Sequence, residues 1–349
     1  VSNGSGSGVT ANVSNVAVSC VAITYQVSNI NFLPADGFGS GQARGVAVDI
    51  NKNIFISSDN AINRINQDGS ITSIAGTNIT GFTDSAGATA KFNTPYGIYL
   101  DGTLGLYVAD ANGNRIRKIS NIESSTCCSG VVTTIAGTGV VGTNDGLGAQ
   151  ATFNYPTHVV LAPNGNLFSV DTLGNKIRKI ILSDFVTSTV SLYAGSGTYG
   201  SFNDIGGAAT FSNPMGLAVD TNGVLYVADT GSNKIRKITT DGTVTTFAGT
   251  GAVGNQNGLA SVATFSSPMG IAISPNGDLY VADTGNNLIR KIDTTGNVTT
   301  FAGTGISGST TGSAITATFN QPREVTVDPF GNIYITDGNY GIIRKISRN

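Results

Sequence analysis

The residues of this chain that could carry chemistry begin with a repeated set of carboxylates. Six copies of a short phrase, written LYVAD in its clearest form, end in or next to an aspartate: Asp59, Asp110, Asp171, Asp229, Asp283 and Asp337. Six carboxylates arranged in a ring could bind calcium. Each Asp, however, follows a predicted strand and precedes a turn, where its side chain can accept backbone N–H bonds. We therefore interpret the six as structural turn caps.

A second candidate site lies where the copies differ. At one equivalent position four copies have glycine (Gly45, Gly97, Gly216, Gly270), and the other two have His158 and Glu324. The residue before this position is, in chain order, Arg44, Tyr96, Thr157, Met215, Met269 and Arg323. The sequence predicts a ligand-binding constellation at one mouth of a central channel, formed by Arg44, Tyr96, His158, Arg323 and Glu324. The alternative is that these are solvated side chains at a wide entrance.

Basic residues form a third repeated set. Ten of the 19 Lys and Arg residues are adjacent pairs: Arg117 and Lys118, Arg178 and Lys179, Arg236 and Lys237, Arg290 and Lys291, Arg344 and Lys345. A phosphate backbone would need such clustering. Adjacent residues of a strand point to opposite faces, and no tyrosines alternate with these pairs. We therefore favour pairing with Asp or extension into water over nucleic-acid binding.

Other catalytic arrangements find little support. His158 is the single histidine, so neither a metal held by several His ligands nor a Ser-His-Asp triad can be assigned. Cys20, Cys127 and Cys128 lack metal-ligand spacing and predict one disulfide or none. No catalytic residue or bound metal is predicted. The enzymatic alternative is a calcium-dependent, lactonase-like or esterase-like hydrolase that uses carboxylates and amides at the central channel.

The elements that would position these residues repeat along the chain. The six Asp recur at nearly regular intervals. Each unit contains four short apolar strands joined by Asn-Gly or Asp-Gly type turns, which predicts an antiparallel meander. Strands that are apolar on both faces fit blades packed between neighbours. The sequence predicts an all-β, six-bladed β-propeller with blades at about 43–76, 95–137, 156–195, 214–249, 268–303 and 322–349.

A long crossover joins each blade to the next. Each crossover has the same length, counted from an aromatic or aliphatic residue in one outer strand to the Gly, His or Glu position of the next inner strand. The starting residues are Ile74, Ile135, Tyr193, Phe247 and Phe301. Constant length predicts packed elements, with one buried anchor in each: Phe92, Phe153, Phe211, Phe265 and Phe319. We expect the crossovers to form one face of the ring, together with the turns that follow the second strands, and to supply the binding surface.

The sixth unit ends after its third strand, so its outer strand must come from elsewhere. We predict that residues 27–33 close the ring, although the constant crossover spacing would indicate a strand near Ala22. Residues 1–26 are then a linker or the end of a preceding module, and 27–349 form the propeller.

The order Pro-x-Gly, VD-x-x-G, LYVAD and N-x-I-R-K-I resembles the NHL repeat and covers about residues 43–346. The resemblance implies a six-bladed propeller. It leaves the function open, because the family includes lyases, RNA-binding modules, receptor-type sensors and extracellular adhesion modules. An amidating lyase of this family needs several His ligands, which this chain lacks.

Composition and charge also indicate where the chain acts and what it binds. A net charge of -2 gives no global attraction to nucleic acid or anionic membranes, and no apolar run predicts a membrane span. The chain begins at Val1, which suggests a removed leader, and Asn3, Asn12, Asn78 and Asn297 head glycosylation sequons. We expect a secreted or cell-surface, non-catalytic binding or assembly module whose crossover face meets a protein or glycan. An RNA-binding domain is the second alternative; self-assembly and membership of a longer chain stay open.

Overall fold

The computed structural model describes residues 24–30, 43–77, 79–102, 105–123, 129–338 and 341–349. Their strands form six antiparallel sheets, one for each predicted unit. In the first five blades the four main strands follow chain order, from an inner strand beside the central channel to an outer strand near the rim. The predicted all-β, six-bladed propeller is confirmed.

Each blade has the same main strands. The inner strands are Ala43–Val48, Pro95–Leu100, Pro156–Leu161, Gly216–Val219, Pro268–Ile273 and Pro322–Val327. The second strands are Ile54–Ser58, Leu106–Asp110, Asn166–Asp171, Leu225–Asp229, Leu279–Asp283 and Ile333–Asp337. The third strands are Ala61–Ile65, Arg115–Ser120, Lys176–Ile181, Lys234–Ile238, Leu288–Ile292 and Ile342–Arg348. The outer strands of blades one to five are Ile71–Gly76, Val131–Ala136, Thr189–Ala194, Thr243–Ala248 and Asn297–Ala302.

The crossovers are ordered parts of the fold. Each described crossover adds a short fifth strand to the rim of the following blade: Ser85–Ala86, Gly146–Leu147, Asp204–Ile205, Gly258–Leu259 and Gly312–Ser313. The five predicted phenylalanine anchors are fully buried, so that prediction is confirmed. The described helices are single 3-10 turns at Gly87–Thr89, Gly206–Ala208, Thr230–Ser232 and Thr284–Asn286. None of the helices in this part of the chain could span a membrane.

An N-terminal strand supplies the outer strand of blade six. Tyr25–Ile30 pairs antiparallel with Ile342–Arg348, and Val27 lies opposite both Ile346 and Gly312. Ring closure from the N-terminus is therefore confirmed, but the strand begins at Tyr25, before the predicted boundary at residue 27. Residues 31–33 of the predicted strand lie outside the described residues.

The closing connection is shorter than the other crossovers, which explains why the constant spacing indicated the wrong strand. Val27 pairs with Ile346 as Val298 pairs with Ile292 in blade five. The stretch of chain from Val27 to Gly45 is clearly shorter than the equivalent stretch from Val298 to Glu324. A spacing rule taken from the other five connections therefore places the strand too early in the chain.

The inner strands approach each other closely because of their glycines. A Cβ atom on Gly216 would clash with the carbonyl oxygen of Met269 in the next blade, and one on Gly270 would lie 2.6 Å from the carbonyl oxygen of Arg323. Backbone from a neighbouring blade cannot move aside as a flexible side chain can. The glycines thus set how tightly the six blades close around the channel.

We expect Gly216→Ala to lower the free energy of unfolding by about 1–3 kcal/mol, because the added methyl group would force the inner strands of two blades apart. Gly102→Ala is the matched control, since no atom lies within 4 Å of its added Cβ. Urea unfolding followed by circular dichroism measures both. Equal stability of the two variants would contradict this account of ring closure.

Candidate functional site

The symmetry-breaking pair at the channel meets across the axis. His158 extends from the inner strand of blade three and Glu324 from that of blade six. Their Nε2 and Oε2 atoms lie 3.3 Å apart, and both side chains are buried. Glu324 also accepts a hydrogen bond from the backbone N–H of Val325 at 3.1 Å. The pair therefore crosses the channel, with glycine at the equivalent positions of the other four blades, and it does not line a wide entrance.

The other three predicted site residues lie together beside this pair. Tyr96 is buried, and burial raises the pKa of its hydroxyl to about 12, while the nearby charges of Arg323 and Arg44 oppose that rise. The Tyr96 hydroxyl therefore stays a neutral hydrogen-bond donor at physiological pH. Glu324 acts on the same hydroxyl through its charge. The structure thus brings all five predicted residues into one cluster on the crossover side of the channel.

Two nitrogen atoms of this cluster are enclosed and unpaired. Nδ1 of His158 and Nη1 of Arg44 have no hydrogen-bond partner among the described residues. Buried polar groups normally have partners, so each unpaired group requires an explanation. Thr157 differs: its hydroxyl is already bonded to the hydroxyl of Thr172 and the carbonyl of Met215.

A cavity lined by aliphatic and polar groups continues from the pair toward the opposite face of the ring. Its volume is about 260 Å³, and His158 and Glu324 form part of its wall. Val46, Ile98 and Leu217 line it from three different inner strands. The charged cluster therefore lies between the crossover side of the channel and this cavity.

The repeated aspartates have a role beyond the predicted turn capping. In blades two to six each Asp carboxylate is buried and lies 2.8–3.1 Å from a fully buried arginine seven residues later. The other carboxylate oxygen accepts a backbone N–H from the preceding crossover, seventeen residues earlier, at 2.6–2.7 Å. These N–H groups do not belong to the turn after the strand, but in blade five Asp283 also accepts a hydrogen bond from the Asn286 side chain in that turn at 2.8 Å. The turn-capping prediction therefore missed the arginine and the crossover N–H as partners. We call each such pair an Asp–Arg clamp.

The clamps attach the crossovers to the blades. In blade four, Arg236 donates to Asp229, to the side chain of Asn203 at 2.7 Å and to the carbonyl of Thr210 at 3.0 Å. Its guanidinium lies 5.3 Å from the centre of the Phe211 ring. Asn203, Thr210 and Phe211 all belong to the crossover, so one buried cation fixes that segment at several points.

Burial raises the pKa of the clamp carboxylates, while the arginine and the backbone N–H oppose this rise. The pKa of Asp110 and that of Asp171 are raised to about 6, and those of Asp229, Asp283 and Asp337 are also raised. Desolvation is the largest cause in all five. Ionisation of these carboxylates therefore depends on both the backbone N–H and the paired arginine.

Blade one lacks the clamp, which corrects the assignment of Asp59. Ser58 occupies the position of the clamp aspartate, because Ser58 ends the second strand and pairs with Ala61. Asp59 lies in the following turn at φ 48°. Asn63 replaces the arginine and donates to the Ser58 hydroxyl at 3.3 Å. The turn of blade one is shorter, which hid this one-residue shift when the copies were aligned by sequence.

The clamps contain the arginine of each of the five predicted Arg-Lys pairs. Their five arginines are fully buried and therefore cannot reach a phosphate backbone while the chain is folded. The five lysines that follow them are partly exposed on the other side of each strand. Each of the five Arg-Lys pairs therefore presents one cation to solvent and not two.

A ring of exposed apolar side chains on the crossover face was not predicted from the sequence. The crossover tips carry Ile79, Val140, Val141, Tyr199, Val253 and Ile306, each 60–72% exposed. The Tyr199 hydroxyl lies 3.4 Å from the carbonyl of Gly231, in a turn on that same face. The available signal was the motif Gly-x-x-Gly after the outer strand, which places apolar residues between two glycines in most copies.

The calcium, disulfide and glycosylation predictions are not tested by this structure. Among the described residues no group of three or more His, Cys, Asp or Glu side chains could hold a metal ion. The calcium-dependent alternative therefore stays a prediction without identified ligands. Cys20, Cys127, Cys128 and the sequon residues Asn3, Asn12 and Asn78 lie outside the described part of the chain.

Comparisons with known proteins agree with the repeat and the fold. The NHL repeat family model matches residues 211–238 and 265–292, within blades four and five and the crossovers that precede them. Over 301 residues the chain is 30% identical to NHL repeat-containing protein 2 of Bos taurus, covering 76% of this chain and 40% of that protein. The chain thus spans about two fifths of the length of this curated relative.

Two solved structures show the same architecture. A protein of unknown function from Bacteroides thetaiotaomicron superposes with a TM-score of 0.71 at 20% identity, covering 94% of this chain and 76% of that one. Virginiamycin B lyase from Staphylococcus aureus superposes with a TM-score of 0.56 at 17% identity, covering 93% of this chain and 99% of the lyase. At these identities the likeness concerns the fold alone.

Proposed function

Because the chain is an NHL-repeat β-propeller, we propose that it is a non-catalytic binding or assembly module that presents its crossover face to a protein partner outside the cell. The observation that carries this proposal is the ring of exposed apolar side chains at the crossover tips. Large exposed apolar groups that cluster on one surface are typical of interaction sites. A protein partner fits such a ring better than a glycan does, because the exposed residues are mostly aliphatic.

Rigid support strengthens the proposal. Each tip is part of a crossover that a buried phenylalanine anchors, and in blades two to six the Asp–Arg clamps hold the same crossovers. A preorganised surface loses little conformational freedom on binding, which favours affinity. The variable tips on a uniform scaffold would then determine which partner is bound.

Site-specific photocrosslinking tests the proposed face. A benzophenone amino acid at Tyr199 or Val253 should give adducts with one recurring polypeptide in extracts of the source cells. The same amino acid at Asn222 or Thr294, exposed residues in turns at the other end of the blades, should not. Once that polypeptide is purified, we expect Val253→Lys to weaken its binding at least tenfold, because a charge would be buried in an apolar interface.

The same experiment can contradict the proposal. Equal adducts from both faces, or unchanged affinity of the Val253→Lys variant, would show that the crossover tips do not form the interface. Location outside the cell needs a separate measurement. Protease treatment of intact cells should remove an epitope tag on the chain, and protection of the tag until the cells are lysed would contradict it.

A further inference from the structure

We propose that the crossover-side mouth of the central channel binds a monoanionic organic acid with an apolar body, its carboxylate held by Arg44 and Arg323 and its body against Met215 and Met269. This site is separate from the apolar ring at the crossover tips. It also concerns a small ligand, so it goes beyond the proposed function.

The cationic half of the mouth comes from three neighbouring blades. Arg323, Arg44 and Tyr96 precede the inner-strand positions of blades six, one and two, respectively. Neither arginine side chain forms an ion pair or a hydrogen bond with any described residue, in contrast to the five clamp arginines. The only carboxylate of the cluster, Glu324, is engaged with His158 and with backbone. Two guanidinium groups therefore stay available for an anion, which they can bind through paired hydrogen bonds.

The net charge of the cluster selects the class of anion. Arg44, Arg323 and Glu324 together carry a single net positive charge. A carboxylate compensates one charge, whereas a phosphate dianion would leave an uncompensated negative charge in a mostly buried site. The Tyr96 hydroxyl, neutral at physiological pH, supplies an additional hydrogen-bond donor beside the arginines.

Enclosed unpaired nitrogens give independent support for a ligand. His158 is 7% exposed, yet its Nδ1 has no hydrogen-bond partner among the described residues. The same is true of the enclosed Nη1 of Arg44. A ligand carboxylate in the mouth would accept a hydrogen bond from Nη1 of Arg44 and so give this buried donor the partner that buried polar atoms usually have.

The other half of the mouth is apolar and determines the shape of the ligand. Met215 and Met269 hold the same position in blades four and five that Arg44 and Arg323 hold in blades one and six, and both are partly exposed. They are the only two methionines of the chain. Methionine adapts to varied apolar shapes. An acid with an aromatic or aliphatic body would contact cations on one side and thioethers on the other.

Calorimetric titration of the whole chain tests the site with defined probes. We expect 4-phenylbutyrate to bind, and its uncharged amide and acetate each to bind at least tenfold more weakly. Arg44→Gln and Arg323→Gln should each weaken 4-phenylbutyrate binding at least tenfold, while Met215→Ser should weaken it several-fold. Arg348→Gln, which removes an exposed arginine of the last strand, is the control and should leave binding unchanged. Thermal melting verifies that each variant is folded.

The source of the carboxylate is distinguished in the same titration. A tripeptide ending in phenylalanine with a free C-terminus is compared with its C-terminal amide. Tighter binding of the free-terminus peptide than of 4-phenylbutyrate assigns the site to a chain terminus, and the reverse order assigns it to a free acid.

Three results would overturn the proposal: equal binding of acid and amide, binding of inorganic phosphate tighter than that of 4-phenylbutyrate, or unchanged affinity in both arginine variants. Val253→Lys should leave acid binding unchanged, so this test can fail or succeed independently of the proposed protein interface.

Discussion

Arg236→Ala is expected to lower the free energy of unfolding by about 3–5 kcal/mol, measured by urea denaturation at pH 7.5. The substitution leaves the Asp229 carboxylate buried without its cation. It also releases the crossover, because Arg236 donates to Asn203 and to the carbonyls of Phe202 and Thr210. A loss of this size would identify the clamp as a main support of the crossover face.

The loss should be smaller at pH 5 than at pH 7.5. Burial already raises the pKa of Asp229, and the arginine is one of the groups that oppose this rise, so its removal raises that pKa further. A carboxyl whose pKa is higher in the folded state binds more protons when folded. Its contribution to stability is complete below the unfolded pKa and is lost as the pH rises through the folded pKa. The variant should therefore lose stability between pH 5 and pH 7.5 more steeply than the parent chain.

Two variants control this experiment. Lys237→Ala removes the adjacent cation from the other face of the strand and should change stability by less than about 0.5 kcal/mol. The double variant Asp229→Ser with Arg236→Asn copies the pair found in blade one and should recover much of the loss, since no charge is left unpaired. A single variant as stable as the parent, or a double variant less stable than the single one, would contradict the clamp.

The fold could be predicted from the sequence because every blade repeats the same pattern of strands and turns. Strand, turn and anchor positions recur, so an element that is ambiguous in one copy can be assigned from the other five. Asp59 was aligned with the clamp aspartates one residue out of register because the turn of blade one is shorter, so comparison with the other copies could not locate the position. The identity of the clamp partners could not be predicted in the same way, because each Asp carboxylate accepts a backbone N–H from a crossover seventeen residues earlier in the chain.

The candidate site was predictable to a different degree. Its five residues were found because they break the repeat, and the ring geometry brings blades that are distant in sequence to one axis. The contact between His158 and Glu324 could not be predicted, since it depends on how closely the inner strands approach. The exposed tips were missed because an apolar residue in sequence is normally assigned to the core, and only the folded crossover reveals which side it faces.

The closing strand provides the second large expected effect. Val27 is 2% exposed and packs in a core cluster of blade six. Val27→Asp should lower the free energy of unfolding by about 3–5 kcal/mol, because it buries a charge in the strand that joins the two ends of the ring. Ser28→Asp is the matched control: it adds the same charge at the exposed neighbouring residue and should cost less than about 0.5 kcal/mol.

A disulfide between the closing strand and the last strand should strengthen ring closure, whereas Val27→Asp weakens it. Gln26 lies opposite Ser347, so cysteines at these two positions can form a disulfide between the closing strand and the last strand. The bond would enclose almost the whole chain and restrict its unfolded state, raising the free energy of unfolding by about 2–5 kcal/mol. Cys20, Cys127 and Cys128 are replaced by serine in this background, and the reduced form is the reference. Unchanged stability on oxidation, together with a tolerated Val27→Asp substitution, would contradict this account. Opening of the ring at this junction would then not limit stability, and another blade interface must separate first.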